Sequence, residues 1–196
     1  MGKIFCICGK SSTGKDTIYK RILSDENIQL DTIVTCTTRP IREGEVNGRE
    51  YWFIDDAKAE SLEAEGKVIE MRAYNTVHGV WKYMTVDDGN IDLSSKSYLI
   101  IGTLESFICI KKYFGEDRTV PIYVEVDDGL RLERALKRER AQEKPKYEEM
   151  CRRFLADSSD FSDERIIEAG IDKRFENLNF TECLKDIKAY IVANMV

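Results

Sequence analysis

The chain has 196 residues, 42% hydrophobic and 34% charged, with 12 Gly and 3 Pro, a composition that suits one well-buried core and excludes disordered or fibrous classes. Its formal net charge of −6 excludes a surface built to lie along nucleic acid, which needs a basic stripe. No apolar run approaches the roughly 20 residues that span a bilayer, and the run after Met1 is too short for a signal segment, so a cytoplasmic location with no nucleic-acid or membrane partner is expected.

Residues 3–8 are nearly all apolar, as in a parallel strand covered on both faces. Strands are expected again at 32–35, 97–101, 121–126 and 174–177. Helical patterns alternate with them at 16–23, 103–114, 130–141, 147–155 and 181–194. Thr103 offers a hydroxyl cap and Gly115 a left-handed stop for the third strand's following helix. Residues 36–85 break the alternation with a loop rich in Arg, Glu and Gly, a helix at 56–65 and a strand at 68–74. A second charged stretch, 139–147, contains Pro145 and reads as a mobile connection. The expected fold is α/β: a parallel sheet flanked by helices, in a single domain of 1–196 with a core of 1–35 and 86–196, a small α+β insertion of 36–85 and a helical lid of 138–153. Cys6, Cys8, Cys36, Cys109, Cys151 and Cys183 lie in these elements and read as buried or incidental thiols. Cys6 and Cys8 have the wrong spacing for a zinc knuckle, and His78 is the sole histidine.

The strongest local signal follows the first strand. Gly9-Lys10-Ser11-Ser12-Thr13-Gly14-Lys15 fits G-x-x-x-x-G-K between a strand and a helix, where glycines turn backbone N–H groups toward phosphate oxygens and a lysine reaches the terminal phosphates. Asp16 stands where a Ser or Thr usually joins magnesium, and Thr17 follows. Asp16 either caps the helix, the preferred reading, or holds a magnesium-bound water, while Thr17 suits a phosphate.

A second constellation lies at 35–53. Arg39 and Arg42, three apart with Tyr51 nearby, form a set of donors suited to a phosphate monoester; on composition alone it would be a solvated charged loop. The segment Thr37-Thr38-Arg39-Pro40-Ile41-Arg42-Glu43-Gly44-Glu45 with Gly48, Tyr51 and Phe53 resembles the acceptor signature of guanylate kinases. That resemblance implies a P-loop nucleoside monophosphate kinase using ATP, GMP or dGMP and Mg2+. It implies a phosphate clamp of Arg39, Arg42, Tyr51 and Tyr83, and guanine contacts from Thr35, Glu70 and Thr85. It also implies lid arginines Arg134, Arg138 and Arg153, and places Asn177 near adenine. Gly9, Ser11, Ser12, Thr13, Gly14, Lys15, Asp16, Thr17, Arg134 and Asn177 are then the ATP-binding candidates, and Lys15, Arg39, Arg138 and Arg153 the catalytic ones. The direct metal ligands and the oligomeric state are left open.

The chain departs from the family pattern where Ile101 and Thr103 replace an Asp-x-Asp pair, and the stretch between Glu70 and Tyr83 is longer. Two alternatives therefore stand beside a guanylate kinase: a kinase of the same fold acting on another phosphomonoester such as a ribose phosphate, and a non-catalytic binding module of the same fold.

Overall fold

The computed structural model describes residues 1–42, 44–76 and 79–195; His78 and Glu43 lie outside them. The first sheet is parallel, in the order β2-β7-β1-β8-β9, with β1 at Ile4–Cys8, β2 at Asp31–Thr32, β7 at Tyr98–Ile101, β8 at Thr119–Glu125 and β9 at Arg174–Glu176. Every residue of β1 is buried. Its alternation divides two cores: Ile4, Cys6 and Cys8 join one cluster, Phe5 and Ile7 the other. The first cluster is closed by helices α3 (Leu104–Phe114) and α6 (Asp163–Glu168) through Leu104, Phe107, Ile110 and Ile166. The second is closed by α1 (Lys15–Leu23) and α7 (Phe180–Asn194) through Ile18, Ile22, Cys183, Ile187 and Ile191.

Pro121 sits inside a central strand without breaking it. β9 begins its pairing opposite Tyr123, so at Pro121 strand β8 is paired only with β1, and the missing N–H falls on the side without a ladder.

Helix α3 ends as its sequence predicts. Thr103 caps it by accepting the Ser106 N–H, and Gly115 stops it at φ 100°. Two expectations are corrected. The strand expected at 32–35 is only Asp31–Thr32, because β7 pairs with it over two residues. The segment 162–169, for which nothing was expected, forms α6 under a Ser162 cap that accepts the Arg165 N–H.

Residues 36–86 supply a second sheet, in the order β4-β3-β6-β5. Here β3 is Cys36–Thr37, β4 Trp52–Phe53, β5 Val68–Thr76 and β6 Gly79–Val86, and α2 spans Asp56–Ala64. Ala59 and Leu62 of α2 pack with Cys36 and Met84 as its small core. Two further helices, α4 (Asp128–Arg140) and α5 (Tyr147–Asp160), are joined by 141–146 and tied by the Arg131–Asp157 pair. The buried Glu139 holds that connection: its carboxylate accepts the Gln142 side-chain amide at 3.0 Å and the Lys146 backbone N–H at 3.1 Å. Among the described residues no helix is long and apolar enough to cross a membrane. Cys6, Cys8, Cys36 and Cys183 are buried free thiols, Cys109 is half-buried and Cys151 exposed. Burial pushes the Cys8 thiol up to about 12 despite the opposing Lys15 charge, so it is an inert core group.

Candidate functional site

The phosphate loop runs from the end of β1 into α1, and its glycines are there because nothing else fits. A Cβ on Gly9 would overlap the Val124 carbonyl, and one on Gly14, at φ 89°, would come within 2.6 Å of the Asn177 side-chain nitrogen. Ser12 holds φ 64°, and its hydroxyl is buried with no partner among the described residues, local strain of the kind kept at ligand-binding turns. Gly14 is the N-cap of α1 and no side chain caps the helix, which corrects the expected capping by Asp16. Asp16 and Thr17 are both exposed in the first turn.

Lys15 points back along the loop, its Nζ donating to the Lys10 carbonyl at 3.4 Å. Burial lowers its pKa, the Asp16 and Asp157 carboxylates push it back up, and the Arg153 charge lowers it further. A partly desolvated ammonium held by one carbonyl lacks its best counter-charge, which phosphate oxygens would supply.

Asn177 lies beneath the loop rather than facing outward. It is buried, its amide donates to the Thr13 carbonyl at 2.8 Å, its backbone N–H bonds to Glu125, and its Oδ1 has no hydrogen-bond partner. Arg134 is fastened to the same residue, donating to the Asn177 carbonyl at 3.0 Å. Both therefore brace the loop from the β9 end.

On its other flank the loop meets α4 and α5 through a network that sequence reasoning missed. Arg131, 1% exposed, donates to the Ser11 carbonyl at 2.9 Å and to Asp157 at 2.8 Å, and pairs tightly with Asp128. Asp157 in turn accepts the Ser11 backbone N–H at 2.7 Å. Phe154 lies under the Arg131 guanidinium, 4.9 Å from ring centroid to Cζ. Arg153 donates to the Ser11 hydroxyl at 3.2 Å. Of the lid arginines, then, Arg153 reaches the loop, whereas Arg138 is half exposed with Glu139 at 3.9 Å as its nearest carboxylate. The available signal was periodicity: Arg131, Ala135 and Glu139 recur at intervals of four along the buried face of α4, so Arg131 had to be buried and paired.

The second sheet builds the other half of the site. Arg39, 3% exposed, forms a two-pronged pair with Glu45 at 2.8 and 3.1 Å, and lies over the rings of Tyr51 and Phe53 at 5.5 and 5.4 Å. Tyr51 meets Tyr83 edge-on at 5.7 Å, and Tyr83 meets Tyr74 at 5.6 Å. Arg42 is exposed; its backbone N–H also goes to Glu45. The phenol of Tyr51 is pushed up by burial, then by Tyr83, lowered by Arg39 and Arg72, and raised by Asp16. Thr35 is half-buried and its carbonyl holds the Trp52 N–H.

Glu70 does not stand alone as its sequence position suggests. Its side chain is 2% exposed; Thr85, fully buried, donates to it at 2.8 Å, and Arg72 donates at 3.0 and 3.3 Å. Arg72 was not singled out, though its position two residues along a strand puts it on the same face as Glu70. Thr103 is spent on capping α3, and Ile101 brings no charge.

The metal implied by the resemblance can be tested against these residues. Among the described residues no three His, Cys, Asp or Glu groups form a metal cage. The exposed oxygens of Asp16 and Thr17 beside the loop suit magnesium, which takes one or two protein oxygens together with phosphates and water.

The comparisons with known proteins agree with this layout. The guanylate kinase family model matches residues 1–84. A guanylate kinase of Thermotoga maritima is 28% identical over 98% of this chain and 79% of its own length. That of Neisseria gonorrhoeae is 40% identical over 51% of this chain, which covers 46% of it. The crystal structure of guanylate kinase from Anaplasma phagocytophilum superimposes with a TM-score of 0.65 over 100% of this chain and 87% of that one at 20% identity, a likeness of fold. A glycine loop after β1, an arginine–tyrosine cluster on a second sheet and these relatives make the chain similar to guanylate kinases, most closely over its first 84 residues, and support a nucleotide kinase.

Proposed function

We propose that the chain transfers the γ-phosphoryl group of ATP to GMP or dGMP, giving ADP and the corresponding diphosphate. The observation that carries this is the buried Lys15 at the end of the glycine loop, whose Nζ has only the Lys10 carbonyl at 3.4 Å among the described residues, in a chain that also gathers Arg39, Tyr51 and Tyr83 into a second cluster of donors; transfer between two bound phosphates needs two such anion sites.

The loop N–H groups and Lys15 hold the donor phosphates, and Arg153 is poised beside Ser11 to neutralise the transferring group; Arg138 joins it when the 138–153 segment, read as a lid, closes over the loop. Arg39, Arg42, Tyr51 and Tyr83 hold the acceptor phosphate. An acceptor monophosphate is largely dianionic at neutral pH, with a second pKa of about 6, so no general base is needed. Magnesium, when bound with ATP near Asp16 and Thr17, supplies charge neutralisation on the phosphates. Movement of the 36–85 segment, read as the acceptor unit, excludes water and suppresses hydrolysis. This assignment makes the protein a cytoplasmic enzyme of nucleotide metabolism.

The test is a coupled assay of ADP release with MgATP and a panel of nucleoside monophosphates and sugar phosphates. GMP-dependent ADP release supports the reading. Release that is independent of every nucleoside monophosphate, or that depends only on a sugar phosphate, overturns it.

A further inference from the structure

Among the described residues Arg131 is the largest fully buried side chain, and the proposed reaction gives it no part. All three of its guanidinium nitrogens are engaged. Nε donates to the Ser11 carbonyl at 2.9 Å, Nη2 donates to Asp157 at 2.8 Å and Nη1 pairs with Asp128, while the Phe154 ring lies 4.9 Å from Cζ. Asp157 returns to the same loop residue, accepting the Ser11 backbone N–H at 2.7 Å. One ion pair thus grips both backbone polar groups of Ser11. A buried ion pair adds little net stability over an apolar pair of the same volume, so its place against the loop calls for another reason.

In a trans peptide the carbonyl and the N–H that follows it point in opposite directions. Two carbonyls of the loop are anchored by side chains from outside it, that of Ser11 by Arg131 and that of Thr13 by Asn177 at 2.8 Å. The first anchor turns the Ser12 N–H to the opposite side, and the second does the same for the Gly14 N–H. Successive N–H groups in a turn that passes through the left-handed region form an anion-binding concavity. Ser12, at φ 64°, is the residue that passes through it, a strained conformation that persists only where its surroundings enforce it. Arg131 enforces it from the preceding peptide. The same guanidinium rests on Phe154, whose neighbour Arg153 donates to the Ser11 hydroxyl at 3.2 Å.

We infer that Arg131 is a positioning residue of the donor site: by fixing the Ser11 peptide it aims the Ser12 N–H at the donor phosphates and sets Arg153 beside them. The inference rests on the phosphoryl-transfer reading above and adds a residue to it. Arg131 is 1% exposed and acts through the geometry of the loop, where a displacement of about 1 Å costs about a hundred-fold in rate. Lysine cannot take its place, because a single ammonium does not span a carbonyl and two carboxylates in one plane.

The experiment compares the native chain with Arg131→Lys and with the double variant Arg131→Met, Asp157→Leu, in which apolar side chains replace the ion pair, an exchange that often leaves a fold as stable as before. Two-substrate kinetics with MgATP and GMP, calorimetric Kd for GMP, urea denaturation and amide hydrogen exchange are measured on each. The expected result is a kcat lower by about ten- to a hundred-fold in both variants, faster exchange across residues 9–17, and a GMP Kd within about two-fold of native. A folded double variant that keeps kcat within about three-fold of native overturns the inference, since Arg131 then serves the fold alone. An equal loss in GMP affinity overturns it as well, and so does failure of both variants to fold. If the native chain itself turns over no nucleoside monophosphate, the proposed reaction falls and takes the inference with it.

Discussion

The Asp157 carboxylate accepts the Ser11 backbone N–H at 2.7 Å, so α5 places a negative charge against the loop proposed to hold the donor phosphates. The same carboxylate binds Arg131 at 2.8 Å, which keeps it there. Phosphate oxygens must displace or tolerate it.

Asp157→Asn should therefore tighten ATP binding by about three- to ten-fold, since one partly screened repulsion is removed. The same change weakens the hold on the buried Arg131, which retains Asp128, and should cost about 1–3 kcal/mol of stability. Calorimetric titration with MgATP and chemical denaturation read the two effects separately. ATP affinity that stays level or falls would show that Asp157 organises the loop for phosphate instead of opposing it.

Arg39 and Arg42 read alike in the sequence and separate in the structure. Arg39 is buried between Glu45, Tyr51 and Phe53, while Arg42 is exposed. Arg39→Ala should lower stability by about 2–4 kcal/mol, because it leaves Glu45 without its two-pronged partner and empties an aromatic niche. Arg42→Ala should leave stability within about 0.5 kcal/mol and raise KM for the acceptor at least ten-fold with little change for ATP. Denaturation curves and two-substrate kinetics check both. Matching stability losses in the two variants would contradict the assignment.

What the sequence made legible follows from how local each signal is. The loop Gly9 to Lys15, the Thr103 cap and the Gly115 stop depend on neighbours in the chain, and each lies where its pattern puts it. The fully buried strand β1 was readable from an unbroken apolar run. The ties that pass between distant segments were not readable: Arg131 to Ser11 spans 120 positions and Asn177 to Thr13 spans 164. Asn177 illustrates the limit, since the resemblance places it near adenine and only the structure shows that its amide also braces the loop. Arg72 illustrates another: strand alternation put it beside Glu70, but only side-chain packing shows that the two pair through two hydrogen bonds.

Acid should weaken the fold at two surface aspartates. Bonds from Lys188 first, and then from Asn27, hold the Asp25 carboxyl down at about 2. Bonds from Ser94 first, and then Ser95, do the same for Asp92, at about 2. A depressed folded-state pKa contributes stability that is complete above the unfolded value, about 3.9, and is lost as pH falls through the folded value. Stability should thus decline between about pH 4 and pH 2, and Asp25→Asn with Asp92→Asn should flatten that decline. Thermal midpoints measured across this range test it; an unchanged slope in the double variant would locate the acid sensitivity elsewhere.

Lys15 supplies the sharpest separation of function from fold. Its Nζ has one weak bond, to the Lys10 carbonyl at 3.4 Å, and burial lowers its pKa. A lysine with a folded-state pKa below its unfolded value is penalised by folding while charged; that penalty is complete below the lowered value and is lost as pH rises from there through the ordinary lysine value. Removing the amine therefore removes a destabilising charge from the loop. Lys15→Met, which keeps the aliphatic stem, should leave the protein at least as stable as the native chain near neutral pH. Its phosphoryl transfer should fall by about three orders of magnitude, in line with the loss of a preorganised charge at a transferring phosphate. Binding of MgATP should weaken while GMP binding persists, because the acceptor cluster of Arg39, Arg42 and Tyr51 is untouched. Thermal denaturation, single-turnover kinetics and separate titrations of the two nucleotides measure these outcomes, and near-native turnover in a folded Lys15→Met protein would remove Lys15 from the reaction.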